Sequence, residues 1–164
     1  DGRQTTYFEW LGAGVYTPDY RSASLHESEH CIKQLYYGYS DTAIYLRLDL
    51  KSQLASDLAD FEVRVGIRTD RSQRIHAQIT GGRLNGIELW QDDQQKVLPS
   101  QPGAAIRAAY RDIFEITLPY AALEIKPQQK ISMQVSFWLD HLPVQVLPKE
   151  GWLPLEMSDD VVGW

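Results

Sequence analysis

The sequence predicts an all-β fold, an antiparallel β-sandwich of jelly-roll or immunoglobulin-like type with about nine or ten strands. Apolar residues recur with period two along most of the chain, as they do in strands with one buried face. Turn-forming residues interrupt that pattern about every ten residues. No segment carries a helical apolar stripe over roughly 11 residues or more.

The elements follow in order. Asp1–Glu29 has little periodicity; Thr5–Trp10 is strand-like, and Gly12, Gly14 and Pro18 mark a loop after it. Ile32–Tyr39 and Ile44–Leu50 form a hairpin, because Ile44, Leu46, Leu48 and Leu50 alternate with Tyr45, Arg47 and Asp49, and Gly38-Tyr39-Ser40-Asp41 supplies the turn. Ser52–Asp60 reads as a short helix or a loop. Phe61, Val63, Val65 and Ile67 alternate with Glu62, Arg64, Gly66 and Arg68. After the turn Thr69-Asp70-Arg71-Ser72, Ile75, Ala77 and Ile79 alternate with Arg74, His76 and Gln78. Gly81-Gly82 and Asn85-Gly86 break the chain before a strand at Ile87–Gln91, and Asp92–Gly103, with Pro99 and Pro102, reads as a loop. Ala104–Ala109, Asp112–Leu118, Ile131–Leu139 and the short Val144–Leu147 are the remaining strands, with one helical turn expected at Pro119–Leu123.

Composition bounds the function. The chain has 164 residues, 43% of them apolar, which suits one domain, 1–164, with a genuine core. A net charge of −6 argues against nucleic acid and anionic membrane as partners, and no apolar run reaches the ~20 residues of a spanning helix. The single cysteine, Cys31, excludes an internal disulfide framework and reads as a small core hydrophobe. The chain opens without Met or a charged-then-apolar leader, so it is expected to be cut from a longer polypeptide whose compartment stays open. Five tryptophans and nine tyrosines require either a core or a stacking surface to hold them.

Strand phase divides those aromatics. Ile87 and Leu89 face one way, so Glu88 and Trp90 face the other. Ile131, Met133, Val135, Phe137 and Leu139 share a face, which places Ser132, Gln134, Ser136 and Trp138 opposite. Tyr45, Arg47, Arg64, Arg68, His76 and Gln78 also lie on the polar sides of their strands. This mixture suits carbohydrate: a sugar ring offers an apolar C–H face to an indole and a rim of hydroxyls to planar polar groups. The expected ligand residues are Trp90 and Trp138 for stacking, with Arg47, Arg64, Glu88, Gln134, Tyr45 and His76 as polar partners. Trp10 reads as packing, Trp152 as part of a terminal loop, and Trp164 as a boundary residue.

Catalytic patterns are weaker. There is no G-x-S-x-G, and Gly81–Gly86 joins two strands rather than opening a phosphate-binding helix. His26-Glu27-Ser28-Glu29-His30 has H-E-x-x-H spacing, but it runs straight into a strand without surrounding helical periodicity and without an evident third ligand. Asp92-Asp93 and Asp159-Asp160 read as solvated loop charges. No cofactor is required; a structural calcium suits the loop carboxylates, yet no D-x-D-x-D-G loop localises one.

Tyr7-Phe8-Glu9-Trp10-Leu11-Gly12-Ala13-Gly14 followed by Tyr16 resembles the opening of the C-terminal β-domain of bacterial glycoside hydrolase family 57 proteins. Leu35–Asp41 followed by Ile44–Asp49 is similar to that family's hairpin, and Val144–Leu155, with Pro148, Gly151 and Pro154, to its closing strand and turn. The hairpin type also recurs in family 9-like carbohydrate-binding modules. The resemblance implies a sandwich accessory module, non-catalytic, attached to a catalytic domain that acts on an α-glucan. Three readings follow: a glucan-binding module, a structural domain packed on its glycoside hydrolase partner, and a small metal-dependent enzyme using His26, Glu27 and His30.

Overall fold

The computed structural model describes residues 14–18, 31–51, 60–126 and 129–155. In chain order the strands are β1 (Gly14–Tyr16), β2 (Ile32–Tyr39), β3 (Ala43–Leu50), β4 (Phe61–Arg68), β5 (Ser72–Thr80) and β6 (Arg83–Gln91). They continue with β7 (Gln94–Lys96), β8 (Arg107–Tyr110), β9 (Phe114–Pro119), β10 (Ile131–Leu139), β11 (Leu142–Leu147) and β12 (Leu153–Leu155). A single turn of helix, α1 (Tyr120–Leu123), follows β9.

Two antiparallel sheets result, as the alternation requires. One has five strands in the order β1-β2-β3-β9-β8. The other has seven: β11-β10-β4-β5-β6-β7 in order, with β12 pairing the free half of β10's outer edge. The apolar sets of both sheets meet in one core. Leu35, Ile44, Leu46, Leu48, Phe114 and Ile116 enter it from the five-stranded sheet, and Val63, Val65, Ile67, Ile75, Met133 and Phe137 from the seven-stranded one, all 2% exposed or less. Each large side chain so buried contributes roughly 1.5–3 kcal/mol.

The turns of the seven-stranded sheet explain three departures from the expected elements. Gly81-Gly82 (φ 61 and 76), Asp92-Asp93 (φ 48 and 66) and Asp140-His141 (φ 50 and 64) each close a two-residue hairpin in left-handed backbone. This geometry matches strand twist, and glycine or aspartate adopts it at low cost. With the turn already made at Gly81-Gly82, Asn85-Gly86 lies inside β6, and a register shift beside Gln78 absorbs the mismatch. The polar stretch after Gln91 is a turn followed by the edge strand β7 rather than a continuous loop. The third of these hairpins starts β11 at Leu142, two residues before the expected start. β1 and β12, each three residues long, were too short for periodicity to register. Thr5–Trp10, the 26–30 segment, Ser52–Ala59 of the expected Ser52–Asp60 element, Asp159-Asp160 and Trp164 lie outside the described residues.

Two glutamines tie the layers together. Gln145 on β11 accepts at Oε1 from the backbone N–H groups of Cys31 (2.7 Å) and Ile32 (2.8 Å), where β2 begins in the other sheet. Gln73, 1% exposed on the inner face of β5, donates to the carbonyl of Leu123 in α1 (2.7 Å) and accepts from Gln91 (2.9 Å). Gln73→Leu leaves both groups buried without that partner, so a loss of about 1–3 kcal/mol for each is expected in urea unfolding. Changing Gln91 to leucine as well should recover part of it, since removing both ends of a buried hydrogen bond costs less than removing one.

Cys31 is buried, and burial pushes its thiol up to about 11. It is held as the neutral thiol at physiological pH, as a core residue rather than a nucleophile.

Candidate functional site

The outward face of the seven-stranded sheet carries the densest set of chemistry-bearing side chains among the described residues. Strand register orders it in rows running across the strands. Gln134, Gly66, Arg74 and Trp90 form one row on β10, β4, β5 and β6. Ser136, Arg64, His76 and Glu88 form the next, and Trp138, Glu62, Gln78 and Gly86 the one beyond. On the other side of the first row lie Ser132, Arg68 and Ser72.

Cations stack on indoles along this face. The Arg64 guanidinium sits 3.6 Å from the centroid of Trp138, and its Nε donates to Glu62 Oε1 at 2.6 Å. The same Glu62 oxygen lies 3.2 Å from His76 Nδ1, and the His76 ring stacks on Trp90 with centroids 5.8 Å apart and planes 25° apart. Arg74 reaches toward Trp90 at 5.9 Å and pairs with Asp93 in the β6–β7 turn at 3.2 Å. Trp138 Nε1 donates to Ser136 Oγ (2.8 Å), which fixes the ring's edge. Such stacks contribute about 0.5–2 kcal/mol each, more as they lose water.

Trp152 belongs to this face as well. The sequence placed it in a terminal loop, and the chain after β11 folds back so that its ring lies against Gly66 of β4. A Cβ at Gly66 would stand 2.9 Å from Trp152 Cη2 and 3.1 Å from Cζ3. Gln134 donates to the carbonyl of Gly151 (3.2 Å), holding the loop down, and Arg68 stacks on the indole at 4.1 Å. Three half-buried tryptophans therefore share one face.

His76 sits at its centre, 7% exposed. Glu62 as a carboxylate only accepts, so Nδ1 carries the proton toward it and Nε2 presents a lone pair. His76 Nε2 and Trp90 Nε1 are buried with no hydrogen-bond partner among the described residues. Orphans of this kind are rare and cost about 1–3 kcal/mol each. One is an acceptor and the other a donor. Burial, and after it the Arg64 charge, lower the His76 pKa below its ordinary 6.5, against the opposing pull of Glu62. The sign is then fixed: above pH 6.5 both folded and unfolded chains hold a neutral ring, and below it the unfolded chain binds the proton first. Stability is expected to fall as pH drops from 6.5 toward the lower folded value, and His76→Gln to flatten that part of the denaturation profile relative to the wild-type chain.

The structure brings Trp90, Trp138, Arg64, Glu88, Gln134 and His76 onto this one face. It does not bring Arg47 and Tyr45 there. Both lie on β3, on the outward face of the five-stranded sheet, across the sandwich. Arg47 is 6% exposed, grips both carboxylate oxygens of Asp49 (2.8 and 3.1 Å) and stacks on Tyr36 at 4.7 Å. Its fork is committed within the protein. Strand phase tells outward from inward but not which sheet a strand joins, so it does not separate these two residues from the rest.

The expected ligand residues do not include Glu62, Arg68, Arg74 and Trp152. The first three were legible as in-phase neighbours of Arg64 and His76. For Trp152 the available signal was Gly66, since a glycine inside a strand often marks a close approach. Among the described residues no group of three or more His, Cys, Asp or Glu is placed to hold a metal ion. Compared with family models, curated proteins and solved structures, the chain finds no match in any of the three.

Proposed function

We propose that the chain is a non-catalytic carbohydrate-binding module whose site is the outward face of the seven-stranded sheet. The observation that carries this is the placement of Trp90, Trp138 and Trp152 on one rigid sheet surface, interleaved with Arg64, Glu62, His76, Glu88 and Gln134. Indoles supply apolar faces for sugar C–H groups, and planar polar groups bond adjacent hydroxyls. A sheet holds them without the entropy cost of ordering a loop. Glucan-type chains are the class that the family resemblance implies, with the catalytic domain of a parent glycoside hydrolase as partner. Tethering to it would raise the local substrate concentration.

The test is a tryptophan-fluorescence and calorimetric titration against soluble starch fragments, β-glucans and xylan. Stacking with a few exposed hydrogen bonds is expected to give Kd near ~10–100 µM, about −5.5 to −7 kcal/mol. Trp90→Ala or Trp138→Ala should weaken it. No response to any glycan would sink the reading.

A second reading keeps the same face and changes its occupant. Trp and Arg are enriched at protein interfaces, and here each of the three indoles carries an arginine. As a structural accessory domain, the chain would press this face on a glycoside hydrolase and leave the glycan panel without effect.

A further inference from the structure

We infer that this face selects a sugar bearing a carboxylate, and that Arg68 stacked on Trp152 is the subsite that reads it. The inference rests on the glycan reading above and goes beyond it, because a neutral glucan offers no anion.

The charge of the face differs from that of the chain. The whole sequence is at −6, yet this face carries Arg64, Arg68, Arg74 and Arg83 against Glu62, Glu88 and the Asp93 that pairs with Arg74, a local excess of one positive charge with His76 neutral. The cations are all arginine. Lysine would give charge alone; a guanidinium adds a flat surface for an indole and a fork that fits a carboxylate with two parallel N–H bonds.

Among the arginines stacked on this face, one is unanswered. Arg64 has Glu62 at 2.6 Å and Arg74 has Asp93 at 3.2 Å. Arg68 is exposed and has no carboxylate partner among the described residues. The nearest acid along the chain, Asp70, is held by the Thr69 hydroxyl (3.0 Å) and the Gln129 amide (3.2 Å). Arg68 is also positioned rather than loose. Its guanidinium lies 4.1 Å from the Trp152 centroid, and that indole is seated by the missing Cβ of Gly66 and the Gln134–Gly151 bond. Its register neighbours are the short hydroxyl side chains Ser132 and Ser72, and Arg68 itself is exposed. A sugar bound beside the Arg68–Trp152 stack would therefore meet with its carboxylate a fork that the stack already orients.

The experiment titrates the chain with tri-galacturonate, its methyl ester and maltoheptaose, at low and moderate salt, reading tryptophan emission. The acid is expected to bind about ten-fold tighter than the ester, a gap that narrows with salt. Arg68→Gln should erase the gap while leaving ester binding in place, and Arg68→Lys should restore only part of it. Equal binding of acid and ester, or preference for maltoheptaose, overturns the inference and leaves the glycan reading standing. No binding of any of the three, together with a silent glucan and xylan panel, overturns both. A gap that survives Arg68→Gln overturns the assignment to Arg68. Dextran sulfate binding tighter than the uronate with the same Arg68 dependence overturns the carboxylate in favour of a sulfate.

Discussion

Phe137→Ala is expected to lower the free energy of unfolding by about 3–5 kcal/mol, read from urea denaturation followed by circular dichroism. Phe137 is fully buried, and its ring stacks on Phe61 with centroids 4.7 Å apart. Phe61 in turn meets Tyr110 of the five-stranded sheet edge-on at 5.3 Å. The substitution opens a cavity at the point where aromatic contacts join the two layers. Against a total stability of roughly 5–15 kcal/mol this is a large fraction. The adjacent residue supplies the control. Trp138 faces outward and is half-buried, so Trp138→Ala is expected to cost roughly 1 kcal/mol, mainly its stack with Arg64. If the tryptophan change proved the more damaging of the two, the strand phase on which the whole site rests would be wrong.

Gly66→Val is expected to separate binding from stability. A side chain at position 66 cannot coexist with the Trp152 ring, whose Cη2 lies 2.9 Å from where the Cβ would be. The indole has to shift from its present seat on the strand, which disturbs its stack with Arg68. Glycan affinity should fall by about ten-fold, or 1.4 kcal/mol, and Trp152→Ala should reproduce that loss. Stability should hardly change, because valine suits a strand better than glycine and offsets the lost ring contact. Affinity left intact by both substitutions, with Trp90 and Trp138 still required, would remove Trp152 from the site.

Different layers of this organisation were legible to different degrees. The hairpins β2–β3 and β4–β5 follow from alternation because each strand buries one face and period two records it directly. The two-residue turns at Asp92-Asp93 and Asp140-His141 were harder to see, since non-glycine residues adopt left-handed backbone there and their composition resembles that of a loop. Asn85-Gly86 misled in the opposite sense. It is a strong turn signal in isolation, but the pairing of β6 with β5 outweighs it.

The sequence by itself determined which side of each strand meets the core, and with it the outward placing of Trp90, Trp138, Arg64 and His76. Phase is a local property, set by the pleat and by the free energy of burying every second residue. Only the tertiary structure decided which of those outward residues share a surface. It moved Arg47 and Tyr45 to the opposite face, and it brought Trp152, 86 positions along the chain from Gly66, down onto that glycine. Strand order and loop return are set by how two whole sheets bury their apolar faces against each other, and no window of neighbouring residues contains that information.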